Sequence, residues 1–344
     1  MLAYALAWQH DRELVLVLSD QHAREVARRL PWVDTPVTVR TLTGEPFTLS
    51  RSEVLTTSAA LEQRTVEPFV LDNRRAAWVE RLLADPGLDG LEAHGRANYL
   101  SWHHRGLQVL RLSQTRSGLR VQAGVQYSRP QPGHKVVNVV LKGPMTDTEL
   151  SEILEAVAAS VSAGGSLTTR QTEHRLQASI GMSPPAALGL PFLAREYPAY
   201  RGPGRPGFID FLGCDGAGRL HVVETKVGHD PKVVLQALDY GIWLQANETG
   251  VRSHRPDWPR PDGMQKEIYL DFVLSAGDQR TAVNGYLPGQ LEALAPEVNW
   301  RVFVVADLDV HPVALRQIPA EALWRAEPGV TSASVRPPRG RPAA

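Results

Sequence analysis

The spacing of apolar positions changes period along the chain, and each change predicts an element. Residues 14–19 form a short apolar run that predicts a buried strand, 21–30 carry the spacing of an amphipathic helix, and 36–42 predict a second strand. Residues 73–84 are again helical in period. Three strands are then predicted at 107–112, 119–127 and 135–141, separated by turns that contain Gly and Pro. In the middle one Leu119, Val121, Ala123, Val125 and Tyr127 alternate with Arg120, Gln122, Gln126 and Ser128, so one face is apolar and the other polar and basic. A helix with an acidic first turn follows at 145–161.

The stretch Ser162-Ala-Gly-Gly-Ser166 has no periodicity and is read as a linker between two halves of domain size. Beyond it, 169–180 predicts a helix opened by the capping pair Thr168 and Gln171 and stopped at Gly181. A Pro/Gly loop at 201–207 leads into strands at 208–212 and 220–227, joined as a hairpin by a turn around Asp215 and Gly218. Asp230 is an N-cap with Pro231 at the first helical position, predicting a helix to about Ala246. Further strands are predicted at 267–274 and 299–306, with a short helix near 290–294. The expected architecture is α/β: an N-terminal α+β domain over 1–163, an α/β domain over 167–326, and a disordered tail rich in Pro, Ser and Arg over 327–344.

Composition narrows the class. The chain has 344 residues, 43% of them hydrophobic, which excludes a wholly disordered chain. The apolar run 2–8 has no basic flank, and no stretch reaches the roughly 18 apolar residues a membrane span needs. No membrane association is expected, and the location expected is cytoplasmic. The single cysteine, Cys214, can form neither an internal disulfide nor a thiolate metal site, which fits a reducing compartment.

The 37 basic and 37 acidic residues give a net charge of zero, which at face value argues against a nucleic-acid partner. That average conceals a partition. Between Ala93 and Thr146 stand eight Arg or Lys and four His with no Asp or Glu, so the remainder is net negative by eight. Arg111, Arg120 and Arg129 lie in this window, interleaved with Tyr99, Trp102 and Tyr127, a pattern that suits nucleic-acid binding; a solvated Arg face is the plainer alternative. Only five of the 37 cations are Lys, at 135, 142, 226, 232 and 266.

Candidate chemistry concentrates in Gly207-Phe-Ile-Asp-Phe-Leu-Gly213 and Leu220-His-Val-Val-Glu-Thr-Lys-Val227. Asp210 interrupts an apolar strand, where an ionised carboxylate is costly unless it is paired or metal-bound. Alternation puts Glu224 and Lys226 on one side of their strand, and hairpin pairing lets Asp210 join them. Two carboxylates suffice for Mg²⁺ with water and substrate phosphate, and a neighbouring Lys can orient the attacking water and stabilise charge on the phosphate. A structural ion pair on a solvated sheet face is the alternative. Arg201 and Arg205, beside glycines, are candidate phosphate contacts. The loop lacks the Lys-Ser/Thr of a P-loop, which excludes nucleotide binding as its primary role.

These residues resemble the PD-(D/E)XK nuclease superfamily, whose core is a helix, a β-hairpin carrying Asp and then Glu-x-Lys, a helix and a further strand. Asp210 matches the first acid and Glu224-Thr-Lys226 the Glu-x-Lys, while Gln236 and Tyr240, four apart on the next helix, look like the Gln-x-x-x-Tyr element of the RecB-like branch. The resemblance covers roughly residues 168–308. It implies a restriction-endonuclease-like core in which Asp210, Glu224 and the carbonyl of Thr225 bind Mg²⁺ or Mn²⁺, Lys226 serves the water, and Gln236 and Tyr240 help to hold substrate. Many members carry an additional acid on the preceding helix. Glu173 is the candidate, sharing a face with Leu176, Gln177 and Ile180, and Glu196 competes with it. The expected function is a metal-dependent deoxyribonuclease of repair, restriction or defence, endo- or exonucleolytic, with DNA ahead of RNA as partner and a homodimer among the open oligomeric states. A catalytically inactive nuclease fold that binds nucleic acid or another partner is the rival reading.

Overall fold

The computed structural model describes residues 2–8, 14–61, 70–95, 99–104, 107–124, 135–162, 169–261, 263, 265–276, 282–306 and 313–323. In chain order the elements are α1 (Leu2–Trp8), β1 (Leu14–Leu18), α2 (Asp20–Ala27), β2 (Val37–Thr41), α3 (Arg51–Ala59), α4 (Asn73–Trp78), α5 (Glu80–Leu83), β3 (Glu92–Gly95), β4 (Tyr99–His104), β5 (Leu107–Thr115), β6 (Gly118–Ala123) and β7 (Val137–Leu141). There follow α6 (Asp147–Ser162), α7 (Thr169–Met182), β8 (Phe192–Tyr200), β9 (Pro206–Cys214), β10 (Leu220–Val227), α8 (Val233–His254), β11 (Ile268–Ser275), α9 (Leu287–Glu292), β12 (Val298–Val305), β13 (Leu315–Ile318) and α10 (Ala320–Leu323). Helices and sheets mix throughout, so the class is α/β as expected. Among the described residues, no helix is long and apolar enough to cross a membrane.

The chain divides into two compact units that are not the two halves flanking the Gly/Ser stretch. One comprises Met1–Gln63 with Ser183–Ala344, and the other Arg64–Met182. Residues expected to open an N-terminal domain therefore belong with the C-terminal sheet, and α7, expected to open the C-terminal domain, belongs to the second unit and packs on β5. The physical reason is burial of α8. Every residue of that helix from Val233 to Leu244 except Gln236 is buried, so one covered side is not enough for it. The sheet covers one side, and α3 packs on another.

The sheet of the first unit has the order β13-β12-β11-β10-β9-β8. Strands β8, β9 and β10 run antiparallel, α8 crosses over to β11 parallel to β10, β12 is parallel to β11, and β13 closes the other edge antiparallel. Leu212, Leu220, Val222, Leu270 and Phe272 form its core with Val234, Leu238, Tyr240 and Trp243 of α8. The second unit is a five-stranded sheet, β3-β4-β5-β6-β7, with Leu110, Leu112, Leu119 and Val121 packed on Ile153, Ala156 and Val157 of α6.

Polar ties fasten the first 63 residues to the unit. Trp243 Nε1 donates to the carbonyl of Leu61 at 2.9 Å, Asn247 Nδ2 to that of Ser58 at 3.0 Å, and Gln290 Nε2 to that of Ala3 at 2.7 Å. Arg29 grips buried Asp239 with two hydrogen bonds of 2.8 and 2.6 Å. On the opposite sheet face from Glu224, Asp271 is 1% exposed and accepts 2.7 Å bonds from both Nε and Nη2 of Arg301 and a 2.9 Å bond from Nδ1 of His221.

Two outcomes follow from these ion pairs. Removing Arg29 leaves a buried carboxylate without its partner, so Arg29→Ala is expected to lose about 3 kcal/mol in urea unfolding, while the double change Arg29→Met/Asp239→Leu recovers most of it; a single variant as stable as the native chain refutes the pairing. Burial alone would raise the pKa of Asp271, but the His221 and Arg301 hydrogen bonds outweigh it and hold the carboxyl below its ordinary value. A depressed folded-state pKa contributes stability at pH above the unfolded value of about 3.9 and loses it as pH falls through the folded value. The melting temperature should therefore drop below pH 4, and Asp271→Asn should flatten that acid limb while lowering stability at neutral pH.

Candidate functional site

The candidate site begins where two strands part. The antiparallel pairing of β9 with β10 runs from Cys214–Leu220 to Phe211–Val223 and goes no further. Beyond it β9 continues paired only with β8, and β10 only with β11. Asp210 and Glu224 are the next residues on the two strands, so both acids stand at the fork.

Each carboxylate is fixed by a hydrogen-bond donor, one from the fork and one from α8. Thr225 has no ladder partner on β9, and its backbone N–H and its hydroxyl both donate to Oδ2 of Asp210 at 2.8 Å. Glu224 is fully buried on the face covered by α8, as alternation with Leu220 and Val222 requires. There Nε2 of Gln236, the half-buried exception in the first part of α8, donates to its Oε2 at 2.9 Å. Tyr240, one turn further along the same helix face, is 2% exposed. Its ring packs on Gly207, where any side chain would collide with the phenol oxygen, and that oxygen hydrogen-bonds the Phe208 backbone. Burial pushes the Tyr240 phenol pKa up, the charges of Glu224 and Asp210 push it further, and Arg201 offsets part of the shift. The phenol stays protonated and remains a donor.

A backbone irregularity sits directly beside Asp210. The β8–β9 register runs from Phe192–Cys214 to Tyr200–Pro206 but omits the Glu196/Asp210 step, and Glu196 has φ 50°. Ala194 and Leu212 before that step and Tyr197 and Ile209 after it all join the core under α8, so inward and outward positions exchange across it. Glu196 thus stands at the register position opposite Asp210, in a left-handed conformation rare for a non-glycine residue.

The remaining candidates are distributed as follows. Lys226 is half-buried on β10, on the strand side of Glu224 by alternation. Arg201 and Arg205 are exposed in the β8–β9 turn, but Arg205 is ion-paired with Glu25, and the carbonyl of Arg201 accepts from Nη1 of Arg28 at 3.4 Å. Arg28 was not singled out from the sequence, since only the packing of α2 brings it to this turn. Glu173 lies on α7, in the other unit from Asp210 and Glu224. Among the described residues, no three His, Cys, Asp or Glu side chains form a group that could hold a metal ion. Thr225 serves Asp210 through its N–H and hydroxyl; the metal role implied for its carbonyl is a separate matter. Asp230 caps the turn before α8, accepting from the backbone of Lys232 at 2.8 Å, and the helix starts at Val233.

In the second unit, Arg111 and Arg120 share the polar sheet face, paired with Gln122 and Ser113 respectively. Arg111 is half-buried, with its guanidinium 3.8 Å from the centre of the Tyr99 ring, whereas Arg120 is exposed. Arg129 lies outside the described residues, as does Tyr127.

Left-handed backbone at a residue with a Cβ costs on the order of 1 kcal/mol that glycine avoids. Glu196→Gly is expected to be about 1 kcal/mol more stable than Glu196→Ala in denaturant unfolding; equal stabilities would show that position 196 carries no strain. Comparisons with protein-family models, with curated proteins and with solved structures return no match for this chain.

Proposed function

We propose that the Asp210–Glu224 fork is the catalytic centre of a divalent-metal-dependent deoxyribonuclease with a PD-(D/E)XK-type core, serving DNA repair, restriction or defence. The observation that carries this reading is the fork itself: two carboxylates on adjacent, diverging strands, each already oriented by a hydrogen-bond donor, with Lys226 two residues beyond Glu224. The order β9, β10, α8, β11, in which the helix returns to a parallel strand, supports the core assignment.

The donor chemistry fits a hard divalent cation. Mg²⁺ is usually held by one or two carboxylates, with water and substrate phosphate completing the shell, and a dedicated cage of protein ligands is not required. Asp210, Glu224 and the carbonyl of Thr225 would hold Mg²⁺ or Mn²⁺. When bound, the ion supplies Lewis-acid stabilisation of the charge that builds up on the phosphate. The other steps belong to side chains of this chain. Thr225 and Gln236 keep the two carboxylates in place, which is the usual task of outer partners in such sites. Lys226 orients the attacking water and stabilises the developing negative charge as the phosphodiester is hydrolysed. Tyr240, kept neutral, donates towards substrate or the carboxylates, and exposed Arg201 meets a flanking phosphate.

The test is a cleavage panel of single-stranded, duplex, flapped and branched DNA and RNA with and without Mg²⁺ or Mn²⁺. Cleavage is expected with DNA, to vanish with a chelator, and to fall by about 10²-fold or more in Glu224→Gln and Lys226→Ala proteins that melt at the native temperature. Undiminished cleavage by Lys226→Ala removes the assignment. No cleavage of any substrate, together with no Asp210-dependent metal binding in calorimetry, leaves an inactive nucleic-acid-binding fold.

A further inference from the structure

The second unit contains a cationic cleft that the fork chemistry does not use. It opens between the start of α4, the β5–β6 turn and the residue following β7, has a volume of about 590 Å³, and is lined by Arg74, Arg75, Trp78, Arg116 and Lys142, with Asp72 as the only acid among the described residues that line it. Asp72 is occupied: it accepts from the Arg75 backbone N–H at 2.8 Å and is ion-paired with the Arg75 guanidinium. Arg74 also lies within the field of Asp72, and Arg116 and Lys142 complete the cationic lining. The Arg74 guanidinium is held 5.5 Å from the centre of the Trp78 ring, which restricts where it can point. Among the described residues, no carboxylate forms an ion pair with Arg116 or Lys142. Both belong to the acid-free window, so neighbours in sequence offer no countercharge either.

Three cations converging on one cleft repel one another unless an anion joins them. The volume falls within the range of about 300–1,000 Å³ typical of sites for small ligands, and the lining joins an indole to cations. That combination suits a group that is anionic at one end and aromatic at the other. We propose that this cleft binds nucleotide phosphates, from either a nucleic-acid strand or a free nucleotide. Arg116 and Lys142 contact the phosphate, Arg74 adds a guanidinium fixed by Trp78, and the exposed part of Trp78 lies against the base or sugar. This site does not rest on the catalytic reading, since none of its residues belongs to the fork or to its unit.

The experiment uses the full chain carrying Glu224→Gln, without divalent metal, so that no probe is cut. Binding of a labelled single-stranded oligodeoxynucleotide is followed by fluorescence anisotropy across a salt series, and unlabelled AMP, ATP and inorganic phosphate are added as competitors. Arg116→Ala/Lys142→Ala is expected to raise Kd by on the order of tenfold or more and to make the slope of log K against log salt shallower by about two, while Arg81→Ala, a cation of the same unit paired with Asp147, leaves both unchanged. Competition by AMP or ATP identifies a free nucleotide as the source; competition by none of the three identifies the strand. Native affinity and salt slope in the double variant overturn the proposal, as does an absence of binding by both the oligonucleotide and the nucleotides. A chain that cuts DNA yet binds equally with and without these cations keeps the fork and loses the cleft, and a chain that never cuts but shows the expected loss does the reverse.

Discussion

The burial of α8 from Val233 to Leu244, with Gln236 as the one half-buried position, is the constraint from which the first unit follows. A helix with apolar residues on all sides cannot rest on a sheet and leave its outer face in water. The six-stranded sheet covers one side, and the remainder is covered by a segment that lies more than a hundred residues earlier in the chain. Burial on that outer side also encloses polar groups, and each needs a partner. Leu61 supplies a carbonyl for Trp243, Ser58 one for Asn247, and Arg29 a guanidinium for Asp239. These bonds do more than cap polar atoms. They fix the rotation of α8 about its axis, and with it the direction in which Gln236 and Tyr240 point.

That fixed rotation explains why the fork can hold two acids. Opening a ladder exposes backbone groups that water or a side chain must satisfy. Here the Thr225 N–H, on the side of β10 that β9 no longer pairs, donates to Asp210, so the irregularity that breaks the sheet also orients a carboxylate. The Glu224 side chain is itself buried, so its charge has to be met by donors, and Gln236 is one. The exchange of inward and outward positions at Glu196 lets β8 and β9 keep their apolar residues under α8 on both sides of the break. Strained backbone persists only where its surroundings over-determine it. The buried residues on either side, Ala194 and Tyr197, provide that determination.

How much of this could be read in the sequence depended on whether the governing interaction was local. β10 has the bounds its alternation predicts, 220–227, because apolar alternation and a Gly turn are both local signals. The β9–β10 hairpin was legible for the same reason, since hairpin register follows from a single turn, but its ladder ends at Phe211–Val223, one step short of Asp210 and Glu224. β8 was not foreseen: Arg195, Glu196 and Pro198 break its alternation, and Pro198 is tolerated only because β8 is the edge strand. The helix expected at 73–84 is broken at Val79, where φ is −120°. The division into units was illegible because a Gly/Ser stretch marks a flexible place without saying which flanking segments meet again. Arg205 read as a phosphate contact, and its partner Glu25, 180 residues away, is visible only in three dimensions.

The zero net charge can now be given a physical meaning. Arginine's planar fork suits fixed, two-point contacts with carboxylates. In the first unit Arg29, Arg219, Arg252 and Arg301 are each tied to an acid in this way or by a single short bond, at Asp239, Asp215, Glu248 and Asp271. Charges paired inside a structure cancel locally and attract little from solution, so these four pairs add to the total without shaping the field at a distance. The acid-free window has no such cancellation within its own sequence: Lys135 finds Glu155 on α6, while among the described residues Arg116 and Lys142 form no ion pair. A chain-wide sum therefore measures how many charges of each sign were used, and the potential that a phosphate meets is set by which of them remain without a partner.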